Sequence, residues 1–142
     1  MTVFALHRTH RLAAALLPLV LNWTGLALAQ PETSEPTTVR IDIRDRQFQP
    51  DRIVLPQGRK IVLSITNHDS ELHAFVPGDL FAGESLNVSG NGAPEFGTQG
   101  FKRVVIPSDG LVEIRFTPTR PGRYPYRCDM PGHEMSGSIV VE

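Results

Sequence analysis

A single cysteine stands in 142 residues. A lone thiol cannot close an intramolecular disulfide, and the paired C-x-x-C or H-x-x-x-H spacing of structural zinc is missing as well. No basic tract runs along the chain, which argues against a nucleic-acid partner. The longest apolar run, residues 12–21, is too short for a comfortable membrane span and is interrupted or followed closely by Pro18, Asn22 and Gly25. Downstream of it, no stretch carries a convincing helical period.

What the N-terminus does hold is an export signal. His7, Arg8, His10 and Arg11 make a charged leader to the apolar run, and Ala27-Leu28-Ala29 supplies the small-x-small cleavage pattern before Gln30. Residues 1–29 are therefore expected to be a secretory signal peptide, placing the mature chain in the periplasm with no stable membrane insertion after cleavage. Cleavage removes two arginines and no acids, so the formal charge moves from −1 to −3. Residues 30–38, QPETSEPTT, are poor in apolar groups and read as a flexible leader. One domain of ordinary size remains, residues 39–142.

Near the C-terminus the sole cysteine joins a histidine and two methionines in Cys128-Asp-Met130-Pro-Gly-His133-Glu-Met135. Any one of these residues suits an inert buried thiol followed by a Pro-Gly turn. Together they are a thiolate, an imidazole and thioethers on one loop, the donors that select copper over oxygen-preferring metals. A free thiol in an oxidising compartment is a liability that a metal would explain. A His₂Cys copper site needs one further histidine, and the mature chain offers only His68 and His73. His73 lies in Glu71-Leu-His73-Ala-Phe75-Val, where strand alternation sets it opposite Leu72 and Ala74; His68 sits between Asn67 and Asp69 and reads as a solvated bystander.

The rest of the mature chain reads as strands. Val39, Ile41 and Ile43 alternate with Arg40, Asp42 and Arg44; Ile61, Leu63 and Ile65 with their neighbours; Val112, Ile114 and Phe116 with Glu113 and Arg115. Turn signals at residues 56–58, 107–110 and 119–122 are spaced as in an all-β sandwich. The last strands are expected at 123–128 and 136–141, with the ligand loop between them. Residues 83–100, with five glycines and little periodicity, are expected to be a long loop, either a lid near the site or a solvated insertion.

Cys128-Asp-Met-Pro131-Gly-His133, the lead from Met135 through Gly137 into a final strand, the Asn67…His73-Ala-Phe75 segment and the Thr117-Pro…Pro121-Gly-x-Tyr124-x-Tyr126-x-Cys128 run together resemble the cupredoxins, the blue-copper family of plastocyanin, azurin and pseudoazurin. The likeness covers residues 39–142. It implies a Greek-key β-sandwich of seven to eight strands and one copper per domain held by His73, Cys128, His133 and an axial Met135. It also implies one-electron transfer to a transient redox partner protein, with His133 as the exit, ringed by Met130, Pro131 and Pro77. Two departures stand out: only Glu134 separates His133 from Met135, leaving Met130 as the alternative axial group, and Ala74 stands where azurin-like members often carry a bracing asparagine. A weaker likeness is to periplasmic cupredoxin components of bacterial ferrous-iron uptake systems. That likeness implies Fe(II) oxidation at the acids Asp69, Glu71 and Asp79, with a membrane iron permease complex as partner. A Cu(I) chaperone or scavenger using Cys128, Met130, Met135 and a histidine is the third reading.

Overall fold

The alternation of branched apolar and polar residues resolves into strands in the computed structural model, which describes residues 35–142. The expected signal peptide lies outside the described residues. Regular structure starts at Thr37, so the first strand takes in the last two positions assigned to the leader. Eleven strands follow in order: β1 Thr37–Arg44, β2 Gln47–Gln49, β3 Arg52–Leu55, β4 Ile61–Asn67, β5 His73–Phe75, β6 Asn87–Gly90, β7 Ala93–Gly97, β8 Gly100–Ile106, β9 Leu111–Phe116, β10 Gly122–Arg127 and β11 Ser136–Val141. The fold is all-β, and among the described residues no helix is long and apolar enough to cross a membrane.

One sheet runs β2-β1-β4-β9-β6; two smaller ones run β10-β11-β3 and β5-β8-β7. β1 pairs parallel with β4 and β3 parallel with β11; the other pairings are antiparallel. The core lies between the sheets. Ile41, Leu63, Ile65 and Ile114 from the large sheet meet Leu55, Phe75, Val104 and Ile139 from the small ones in one buried cluster. Burying such a side chain stabilises the fold by roughly 1.5–3 kcal/mol, which is why the period-2 pattern dictates which face turns inward. β4 departs from simple alternation, being buried from Ile61 to Ile65. Val62 and Ser64, its buried positions on the other face, lie in register with Arg115, Arg40 and Glu113.

The expected loop at residues 83–100 is corrected by β6 and β7, which pair with β9 and β8. The reason is tertiary. A Cβ on Gly90 would stand 2.1 Å from the carbonyl oxygen of Leu111, so the glycine is there to let β6 lie against β9, and its φ of +111° suits glycine alone. These strands and the short β2 and β5 account for the count above seven or eight.

Two contacts bring the ligand-bearing segments together. Val76 and Arg127 exchange backbone hydrogen bonds at 2.9 and 3.1 Å, tying the end of β5 to the end of β10 across the two small sheets. Phe75 and Tyr126, whose ring centroids are 5.2 Å apart, pack beside that bridge, and Phe48 meets Tyr126 edge-on at 5.0 Å. Tyr126 also fixes the start of β11: it faces Gly137, where a Cβ would stand 2.3 Å from its ring.

Candidate metal centre

Asn67 ends β4 fully buried, and its side chain organises the first ligand segment. Its amide nitrogen donates to the carbonyls of Glu71, Ile106 and Pro107, while its oxygen accepts the backbone N–H of Asp69 at 3.0 Å. Residues 68–72 are thereby folded back against the end of β8, and His73 begins β5 with no exposed surface. The second segment closes on itself. Cys128 N–H donates to the Met135 carbonyl and His133 N–H to the Met130 carbonyl, both at 3.0 Å, and Gly132 takes a φ of +76° in the turn. Arg103 reaches across from β8 to Asp129 at 2.8 Å and holds Glu95 with its other guanidinium nitrogens.

These constraints converge three donor atoms. His73 Nδ1 and His133 Nδ1 are 3.1 Å apart, Cys128 Sγ lies 3.5 Å from His133 Nδ1, and one ligand atom from each of the three residues falls within 4.8 Å of the others. Cys128 Sγ also accepts the backbone N–H of Ala74 at 3.3 Å, so a main-chain donor supports the sulfur at the position where a side-chain brace was absent from the sequence. Met135 is buried in the same core cluster, 3% exposed, whereas Met130 is only partly buried against it. His68 stands apart, half-exposed with its Nε2 3.0 Å from Asp42, and is outside the donor group.

A carboxylate can only accept, so the 2.9 Å contact between Asp69 Oδ2 and His73 Nε2 places a ring proton on Nε2 and turns Nδ1 toward His133 and the other donor atoms. Burial pushes the Asp69 carboxyl up, but the backbone N–H groups of Arg46 and Asp45 and the His73 ring outweigh it and hold the carboxyl below its ordinary range. Glu71 is likewise held low, first by the hydrogen bonds from Arg46, which forms a two-pronged ion pair with it. The same Glu71 lies 3.5 Å from His133 Nε2, and the His133 side chain is only 8% exposed.

Two imidazole nitrogens and a sulfur brought this close form a donor set of the soft, nitrogen-and-sulfur type that suits copper. The described residues thus hold a His73–Cys128–His133 group, with Met135 buried beside it, that can bind one copper ion. Asp69 and Glu71 also lie close to His73, but their oxygens are taken up by Arg46, by the backbone at residues 45–46 and by the imidazoles. Asp79 is exposed and outside both groups. The apolar ring expected around His133 is not built as the sequence suggested: Pro77 is buried and Glu71 stands at the imidazole edge. Arg46 went unrecognised because nothing in Arg44-Asp-Arg46-Gln announces that a turn between β1 and β2 will reach residues 69 and 71.

The comparisons with known proteins agree with this architecture. Among solved structures, auracyanin A, a "blue" copper protein from the green thermophilic photosynthetic bacterium Chloroflexus aurantiacus, is 17% identical over 76% of this chain and all of its own, with a TM-score of 0.57. Auracyanin B is 20% identical over 75% of this chain and 88% of its own, TM-score 0.56. A reduced tryptophan-to-tyrosine mutant of amicyanin is 16% identical over 78% and 87%, TM-score 0.51. At such identities the likeness is one of fold. No curated protein matches the sequence. The model of the cupredoxin-like domain matches residues 14–141, nearly the whole chain, and the protein therefore belongs to the cupredoxin-like family.

Proposed function

We propose that the protein is an exported, periplasmic one-electron carrier in which His73, Cys128, His133 and Met135 would hold a single copper. The observation that carries this reading is the convergence of the two Nδ1 atoms and Sγ within 4.8 Å on a β framework that restrains each from behind. Copper, when bound, supplies the one-electron change. The chain's own part is to keep its donors still: His73 is braced by Asp69, the sulfur by Ala74 N–H, and the loop by the Cys128–Met135 backbone bond. A site that does not rearrange between oxidation states exchanges electrons quickly. Encounter with a redox partner protein would be brief and would bury less than about 1,200 Å².

The ferrous-iron reading, with a membrane permease as partner, needs carboxylates free to receive Fe(II). Asp69 and Glu71 are already engaged, which favours the plain carrier. Titrating the mature domain with copper and cycling it between oxidants and reductants tests the proposal. One equivalent should bind, Cu(II) should give an intense thiolate-to-copper band that bleaches and returns reversibly, and Cys128→Ser should lose the band. A band that survives Cys128→Ser would sink the assignment. Tight Cu(I) binding without reversible oxidation would point to a copper-holding role.

A further inference from the structure

The two-residue turn between β1 and β2 is far from either ligand segment in sequence, yet it touches the first directly and reaches the second through Glu71. Asp45 and Arg46 take φ values of 52° and 55°, a left-handed pair that aspartate tolerates and arginine adopts only at a cost. That conformation turns both of their N–H groups toward Asp69, which accepts them at 2.8 and 2.9 Å. Successive N–H groups converging in this way form a concavity for an anion. The anion is the same carboxylate that accepts His73 Nε2–H. From the same turn the Arg46 side chain, itself more than half exposed, grips Glu71, whose other contact is the outer edge of His133.

We infer that this turn is a clip that positions both histidine ligands from the surface: its backbone fixes Asp69 behind His73, and its arginine holds Glu71 against His133. Asp69, Glu71 and Arg46 are positioning residues, since they act through the imidazoles. The inference rests on the copper reading for its purpose but not for its geometry, because the clip is complete without metal. Its first consequence is that His73 is set in one tautomer before any ion arrives. Its second is electronic. A carboxylate on the far nitrogen makes the imidazole a stronger donor and favours the more highly charged Cu(II) over Cu(I).

The test begins with metal-free protein. Nitrogen-15 and proton NMR of the native domain should show a slowly exchanging Nε2–H on His73. Asp69→Ala should speed its exchange at least tenfold. Asp69→Asn is nearly isosteric and keeps the experiment readable where the alanine variant unfolds; its one amide oxygen cannot serve both the turn and the ring, so exchange should again accelerate. Loaded with copper, the Asp69 variants should lose Cu(II) affinity by roughly 10–100-fold. They should lose less for Cu(I), raising the midpoint potential by about 59 mV for each tenfold difference. Damage to the fold alone would lower the melting temperature without separating the two oxidation states. Arg46→Gly, which accommodates the left-handed turn and keeps its N–H groups, should leave the His73 proton protected while shifting the His133 ring signals. Native-like exchange and an unchanged potential in folded Asp69→Asn would overturn the inference. An Arg46→Gly protein with unaltered His133 would remove its second limb. Native protein that binds no copper but shows the protected His73 proton would refute the proposed function and leave the clip standing.

Discussion

Residues 67–73 and residues 83–100 are both polar and poor in large apolar side chains, yet the fold treats them in opposite ways. In the first, polar groups converge: Asn67 holds three carbonyls and a backbone N–H, Asp69 collects two turn N–H groups and a ring N–H, and Glu71 lies between Arg46 and His133. In the second, the contacts are scattered and peripheral, as with Asn91 to the Leu111 N–H, Ser89 to Arg115 and Glu95 to Arg103, and Phe96 is left 62% exposed. The difference follows from burial. His73 has no exposed surface, and a buried polar atom without a partner costs roughly 1–3 kcal/mol, so everything around it must be satisfied. Among the described residues no buried side-chain nitrogen or oxygen lacks a partner. A polar stretch built for chemistry is thus marked by saturation of its hydrogen bonds, and one built as a sheet edge by its exposure.

The sharpest way to break this comparison is to remove a converging group. His73→Ala takes away a buried donor and should weaken copper binding by more than the roughly 10–100-fold that loss of a supporting partner costs. His68→Ala, changing a half-exposed ring paired only with Asp42, should leave affinity where it was. Competition against a chelator measures both, and weakening by His68→Ala instead would reverse the assignment. At the β6 sheet edge the effect should fall on stability and spare the metal. Gly90→Val forces a branched side chain against the Leu111 carbonyl and should destabilise the fold by about 1–3 kcal/mol, read by urea unfolding, with the copper band of the folded fraction unchanged.

Smaller effects sharpen the contrast. Met135→Leu nearly conserves volume in the core and removes the thioether proposed to complete the site, so copper should stay bound while voltammetry shows a higher midpoint potential; loss of copper would identify Met135 as a tight ligand. The smallest change is expected at Glu95, whose carboxyl the Arg103 hydrogen bonds hold below its usual value of 4.5. The folded state therefore binds a proton there less readily than the unfolded chain. The pair's contribution is present above the unfolded value and is lost as pH falls through the folded one. Unfolding curves between about pH 6 and pH 3 should show the native protein losing stability more steeply than Glu95→Gln. Parallel curves would mean that the pair contributes nothing.

The strands with strict period 2, β1 and β9 above all, were legible because each side chain has only two faces to choose between and one is buried. The ligand loop was legible because Cys128, His133 and Met135 lie within eight residues of one another and their chemistry needs no partner to be recognised. β6 and β7 were not, since their alternation is short and their glycines answer to a neighbouring strand rather than to a loop. Nor was the shielding of His133, because Glu71 reaches it, and Arg46 reaches Glu71, from segments whose sequence spacing carries no pattern.

The sequence by itself determined the all-β class, through hydrophobic periodicity, and the kind of metal site, through the softness of the donors on one loop. Only the tertiary structure decided that Ala74 offers a backbone N–H to the sulfur and that each imidazole carries a carboxylate behind it. The reason is one of range. Periodicity and ligand chemistry are local properties of a few consecutive residues, whereas the partners of a buried polar group are set by which strands the sheets bring side by side.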